Sequence, residues 1–210
     1  MVLQKVIYNS VRANCKRGRS ELVAGSEQNP LISVVMPIWN GERYVDEAIE
    51  SVLSQTFVAF EFIIIDDGST DGTLQIITSY DDPRLRVHHI KHRGIVTALN
   101  FGIQKARTEW IARMDADDIC HPRRFEFQWK ALRDMPGAVM CYTDIDFIGD
   151  RRCFPPTERL PQTKALLAFR MCYECPIVHS TVLFNKKAFL VAGAYSSTEE
   201  YAEDYSLWGR

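Results

Sequence analysis

The segment Ile111-Ala112-Arg113-Met114 runs straight into Asp115-Ala116-Asp117-Asp118, which sets three carboxylates within four residues. Carboxylates this dense repel one another and resist burial, so a cation or a set of hydrogen-bond donors must answer them. A divalent ion such as Mg²⁺ or Mn²⁺ favours carboxylate oxygens and completes its shell with waters and substrate phosphates. The same residues would also make a solvated acidic turn ahead of the next helix, where Asp is favoured. A second acidic pair, Asp66-Asp67, closes another apolar run and opens Gly68-Ser69-Thr70. That sequence is strong turn chemistry in its own right.

Holding such residues in place takes a rigid frame, and the chain reads as one. Residues 31–37 and 60–65 are nearly continuous apolar runs, the pattern of parallel strands buried on both faces. Residues 84–89 fit a third strand and 110–114 a fourth. Between them lie helical patterns. Asn40 is placed to cap a helix carrying Val45, Ala48, Ile49, Val52 and Leu53. A second helix is expected over 71–80. A third over 94–106 brings Ile95, Ala98, Leu99, Gly102, Ile103 and Ala106 into step. This alternation predicts an α/β fold with a mostly parallel sheet flanked by helices. After Pro122 the pattern loosens. It predicts helices over 123–134 and 162–172, strands near 139–143 and 181–184, a strand or hairpin over 145–154, and a last helix from about Thr198.

The 210 residues suffice for one sizeable domain, and 46% hydrophobic with 25% charged residues is ordinary for a globular protein. A formal net charge of −2 and the lack of an Arg/Lys stripe argue against nucleic acid as a partner. No apolar run approaches the ~20 residues of a membrane-spanning helix. Residues 1–29 differ in composition: Arg12, Lys16, Arg17 and Arg19 form a basic stretch, and residues 25–30 read as a linker into a domain over 30–210. A tail is expected there, with contact to an anionic membrane surface as the alternative. The six scattered cysteines favour reduced thiols and a cytoplasmic compartment. Cys172 and Cys175 with His179 would make half a zinc site, and no second pair of such cysteines accompanies them.

In an open parallel sheet, ligands bind beyond the carboxyl ends of the strands. Here those ends carry Pro37-Ile38-Trp39-Asn40, Asp66-Asp67 and the 115–118 carboxylates. An aromatic wall, hydrogen-bond acceptors and a metal-binding cluster together suit a nucleotide diphosphate. Neither Gly-x-x-x-x-Gly-Lys-Ser/Thr nor Gly-x-Gly-x-x-Gly occurs, which removes P-loop and dinucleotide readers.

Four motifs in order carry a resemblance: Val34-Val35-Met36-Pro37 with Trp39-Asn40; Ile65-Asp66-Asp67-Gly68-Ser69-Thr70-Asp71; Arg113-Met114-Asp115-Ala116-Asp117-Asp118; and Glu203-Asp204-Tyr205-Ser206-Leu207-Trp208. Over about 31–210 the chain resembles an inverting family 2 glycosyltransferase of the GT-A fold. The resemblance implies transfer of a sugar from a nucleotide-diphosphate donor, UDP being expected, to a hydroxyl of a glycan or lipid-linked acceptor. It assigns Pro37, Trp39, Asp66 and Asp67 to the base site, Asp115 to the ribose or phosphate, and Asp117 to Mg²⁺ or Mn²⁺. It makes Asp204 the general base, with Glu203 beside it. The alternative for that pair is a solvated first helical turn, where acids are favoured. His92 would face the donor, while His88 and His89 read as surface residues. His179 and Trp208 would lie on the acceptor side. Family members usually continue past the last helix, so a fragment of a longer protein is expected. Two other readings compete: a sugar nucleotidylyltransferase, disfavoured by the Trp39-Asn40-Gly41-Glu42 loop, and a non-catalytic nucleotide-sugar binder.

Overall fold

The two apolar runs become the centre of a sheet. The computed structural model describes residues 5–7, 29–148, 163–198 and 202–210. The central strands are β2 (Ile32–Ile38) and β3 (Phe60–Asp66), and every residue of both is buried. The remaining strands of this sheet are β4 (Leu85–His89), β5 (Trp110–Arg113), β7 (Met140–Cys141) and β9 (Leu183–Asn185), in the order β4-β3-β2-β5-β9-β7. The first four are mutually parallel; β9 runs antiparallel to both β5 and β7. A smaller sheet sets β1 (Lys5–Ile7) between β6 (Ile119–Cys120) and β8 (Ile145–Phe147). Thus Lys5–Ile7, inside the expected tail, pairs as a strand, and the rest of residues 1–28 lie outside the described residues, as do 149–162 of the expected hairpin and helix.

Pro37 sits in a central strand, where a missing N–H usually costs a ladder bond. Here β5 pairs with β2 only as far as Val35, whose carbonyl accepts from Met114 N at 3.1 Å. Residue 37 shares the orientation of residue 35. Its missing donor therefore points past the end of β5, and the proline fits.

Helices cover both faces. On one, α1 (Val45–Leu53), α2 (Thr73–Thr78) and α4 (Arg124–Asp134) bury Ile49, Val52, Ile77, Phe125 and Leu132 against Val34, Met36, Phe62 and Ile64. On the other, α3 (Ile95–Lys105), α6 (Lys186–Val191) and α7 (Glu203–Trp208) bury Leu99, Ile103, Phe189 and Leu207 against Val35, Ile63, Ile65 and Ile111. Each such side chain contributes about 1.5–3 kcal/mol by leaving water. The α3 face approaches so closely that a Cβ on Gly102 would stand 2.6 Å from Val35 Cγ1. Helix α5 (Lys164–Met171) is capped by Thr163, whose hydroxyl accepts from Leu166 N.

Three local expectations change. Asn40 does not cap α1, whose first flanking residue is Tyr44. It instead takes a left-handed φ of 52°, tolerated by Asn, and its side chain accepts from Thr70 N at 2.8 Å. The expected 181–184 strand opens with a 3₁₀ turn at His179–Thr181, and β9 follows. The last helix starts at Glu203, residues 199–201 lying outside the described residues. β6 and α6 are short elements that the spacing did not predict.

Candidate active site

The loops that leave β2 and β3 are stitched to each other. Asn40 N donates to Ser69 Oγ at 2.9 Å, Gly41 N to Thr73 Oγ1 at 2.8 Å, and Gly72 N to Glu42 Oε2 at 2.7 Å. Asp66 is fully buried. One oxygen accepts from Ser69 N at 3.1 Å, and the other lies 2.6 Å from His89 Nδ1. His89, expected as a plain surface residue, therefore answers a buried carboxylate, although its ring is half-exposed. His88, its neighbour, meets Phe101 edge-on, and burial with nearby Arg86 and Lys105 lowers its pKa.

Asp67 reaches forward to the start of α3. Its two oxygens accept from Arg93 N at 2.9 Å and Gly94 N at 2.8 Å, and His92 Nδ1 lies 2.9 Å away. This clamp presses the loops together: a Cβ on Gly68, at a φ of +74°, would stand 2.8 Å from His92 N. The result is a stack of Trp39 on His92, ring centroids 4.5 Å apart and planes 24° apart, with Trp39 54% exposed. Aromatic faces of this kind pack planar ligands. Asp66 and Asp67 thus shape the loops, and the open surface beside them is the aromatic stack.

The second part of the site stands at the end of β5. Strand alternation puts Ile111, Arg113 and Asp115 on the α3 side of the sheet. Arg113 is buried, and its Nη1 is ion-paired with Asp115 Oδ1. Burial opposes the guanidinium charge; Asp115, Tyr195 and Asp118 outweigh that and hold its pKa above the usual range. Below it His179 Nε2 lies 2.7 Å from the Tyr195 hydroxyl. Burial, with Arg113 nearby, pushes the His179 pKa well down, so the imidazole is neutral. Burial pushes the Tyr195 hydroxyl up, and the charges of Asp204, Glu203 and Asp115 add to it. The tyrosine thus meets the 3₁₀ turn directly through His179 and feels the charges at the end of β5 and the start of α7.

Arg124, also fully buried, fixes this junction by donating to the carbonyls of Arg113 (2.9 Å) and Val182 (3.3 Å) and to Gln128 Oε1 (3.1 Å). A buried guanidinium demands such partners.

Glu203 is buried and Asp204 partly exposed at the first turn of α7. Tyr205 ties that turn to α5 by donating to the Met171 carbonyl at 2.5 Å. Cys175 Sγ lies 4.0 Å from Asp204 Oδ2, and burial together with that carboxylate pushes its thiol up to about 11. Cys172 turns to the Ala168 carbonyl, so Cys172, Cys175 and His179 have separate partners. Trp208 packs edge-on against His179, 6.1 Å between centroids, and also meets Phe184. His179 and Trp208 thus lie in the packed layer under the site.

Among the described residues no three His, Cys, Asp or Glu side chains gather to hold a metal. Asp118 is buried and Asp115 is turned to Arg113, while Asp117 is partly exposed. This donor set does not fit an all-protein cage. It fits an ion shared with a diphosphate, for which one or two carboxylates suffice.

The sequence pointed to the acidic groups and to Trp39. It gave no role to Arg113, Arg124, Tyr195 or His89. For Arg113 a signal existed, since a cation two positions before an acid on a strand shares its face. For Tyr195 none did.

Comparison with known proteins bears on the whole arrangement. The family model "Glycosyl transferase family 2" matches residues 33–191. An "Uncharacterized glycosyltransferase" of Rickettsia prowazekii is 28% identical over 190 residues, covering 86% of this chain and 58% of that protein. One from Haemophilus influenzae is 31% identical over 182 residues, covering 84% and 67%. The chain therefore spans between about half and two thirds of the length of these relatives. Among solved structures, S. aureus TarS 1–349 in complex with UDP-GlcNAc superimposes with a TM-score of 0.65 at 23% identity, over 84% of this chain and 52% of that one. The mannosyltransferase PcManGT from Pyrobaculum calidifontis, in complex with GDP-Man and Mn²⁺, gives 0.62 at 15% identity over 90% and 54%. At these identities the two structures speak for the fold, a GT-A arrangement.

Proposed function

The chain belongs to glycosyl transferase family 2, and from that premise we propose that it transfers a sugar from a UDP-sugar to a hydroxyl acceptor, with inversion and with the help of Mg²⁺ or Mn²⁺. The observation that carries this reading is the exposed Trp39–His92 stack at the carboxyl ends of β2 and β3, held in place by the Asp67 clamp at the start of α3. The TarS complexes with UDP and UDP-GlcNAc support the choice of donor.

In this mechanism the uracil packs on the Trp39–His92 stack, next to Pro37, on a surface whose shape Asp66 and Asp67 maintain. Asp115 takes the ribose side. Asp117 would hold the metal together with the donor's diphosphate, and such an ion would supply positive charge for the leaving group. Asp204, partly exposed at the start of α7, accepts the proton of the acceptor hydroxyl as its oxygen attacks the anomeric carbon. The bond to the diphosphate breaks on the opposite side, which inverts the centre. Glu203 is buried beside it in the same turn. The acceptor is a glycan or lipid-linked hydroxyl. No described helix is long and apolar enough to cross a membrane.

Calorimetric titration of UDP with Mn²⁺ present, then with EDTA, tests the donor site. Binding that needs the metal and is lost in Asp117→Asn is the expected result. Silence toward UDP, GDP and dTDP alike would overturn it.

A further inference from the structure

A guanidinium buried at the floor of a ligand site is costly, because several kcal/mol of desolvation must be offset by partners. Arg113 has few. Its Nη1 pairs with Asp115 Oδ1, and its Nε, also buried, makes no hydrogen bond among the described residues. The polar pair beneath it, His179 with Tyr195, is uncharged, burial keeping the histidine neutral and the tyrosine protonated. Asp115 is therefore the carboxylate in contact with Arg113, and turning away would strand a buried cation. That locks the orientation of Asp115. The lock uses Oδ1, and the side chain is 28% exposed.

Resting on the donor-site reading above, we propose that Arg113 is a positioning residue: it holds Asp115 by one oxygen so that the other is presented to a ribose hydroxyl of the nucleotide. The chemistry selects that ligand. A carboxylate oxygen repels phosphate and binds a hydroxyl donor well, in a charge-assisted hydrogen bond.

The test is calorimetric titration of the intact protein with UDP, 2′-deoxy-UDP and 3′-deoxy-UDP, Mn²⁺ present throughout. The native protein is expected to bind UDP about tenfold or more tightly than the weaker deoxy analogue, since a site built around a hydroxyl rejects ligands that lack it. Arg113→Met is expected to bring that preference to about twofold or less, and Arg113→Lys to restore much of it. A merely structural role would weaken all three nucleotides together and leave the ratio unchanged, and an unchanged ratio overturns the proposal. Should Arg113→Met fail to fold, as read by its melting curve, Asp115→Asn decides at a partly exposed position: a preference that survives it overturns the proposal equally. Equal binding of all three nucleotides by the native protein would overturn this inference and leave the donor site standing. Silence toward every nucleotide would overturn both.

Discussion

Around β2 and β3 the acidic side chains chiefly hold backbone across loops, whereas around β5 and α7 they chiefly face other side chains, although Asp204 Oδ1 also accepts from the adjacent Tyr205 N at 2.7 Å. Asp66 and Asp67 direct oxygens to the amides of Ser69, Arg93 and Gly94, and Glu42 does the same for Gly72. Such bonds fix loop shape and leave an aromatic stack as the working surface. In the other region Asp115 answers Arg113, Asp204 faces Cys175, and His179 meets Tyr195. Burial first, and neighbouring charges second, act on Arg113, His179, Tyr195 and Cys175: the histidine is pushed down, the tyrosine and cysteine up, and the arginine is held up by its acidic neighbours against burial. One region is a scaffold with a binding surface, and the other is where proton and charge chemistry is set.

The sharpest break in that contrast is Asp204→Asn. Removing the proposed base should lower transfer by about 10²–10⁴-fold while UDP binding in calorimetry is retained. Transfer that survives would remove α7 from the chemistry. Next is Asp67→Ala, which deletes two charge-assisted bonds to amides. Urea denaturation should show a loss of about 3 kcal/mol, with weaker UDP binding as the Trp39–His92 stack loosens. Gly68→Ala forces a Cβ to 2.8 Å from a backbone nitrogen at positive φ, and should cost about 1–3 kcal/mol in the same assay.

The smallest effect is pH-dependent and belongs to the second region. His179 titrates at an ordinary 6.5 when unfolded and well below that when folded. Below 6.5 the unfolded chain takes up a proton that the folded chain refuses. Stability should fall as the pH drops from 6.5 toward the folded value, by up to about 1.4 kcal/mol per unit. Denaturation between pH 5 and 6.5 should be less pH-sensitive in His179→Gln than in the native protein; equal slopes would mean that the imidazole is not held neutral.

How far the sequence carried depends on the same division. The runs at 31–37 and 60–65 were legible because strands buried on both faces must be continuously apolar, and they appear as β2 and β3 within a residue of expectation. The Asp66-Asp67-Gly68-Ser69 turn was legible because Asp and Gly are chosen by local backbone chemistry. The three-carboxylate cluster declared itself by charge density alone.

Past β5 the strands shorten to two or three residues and are joined by a 3₁₀ turn, too brief for periodicity to register. There the decisions are tertiary. Nothing local says that Arg113 and Arg124 are interior, that His89 reaches Asp66, or that Tyr195 meets His179. The sequence by itself determined the parallel frame and which acids could act, since burial of strands and turn chemistry are read from neighbouring residues. Only the folded chain decided which acids are bound to backbone and which stand ready, because desolvation and pairing depend on groups brought together from distant segments.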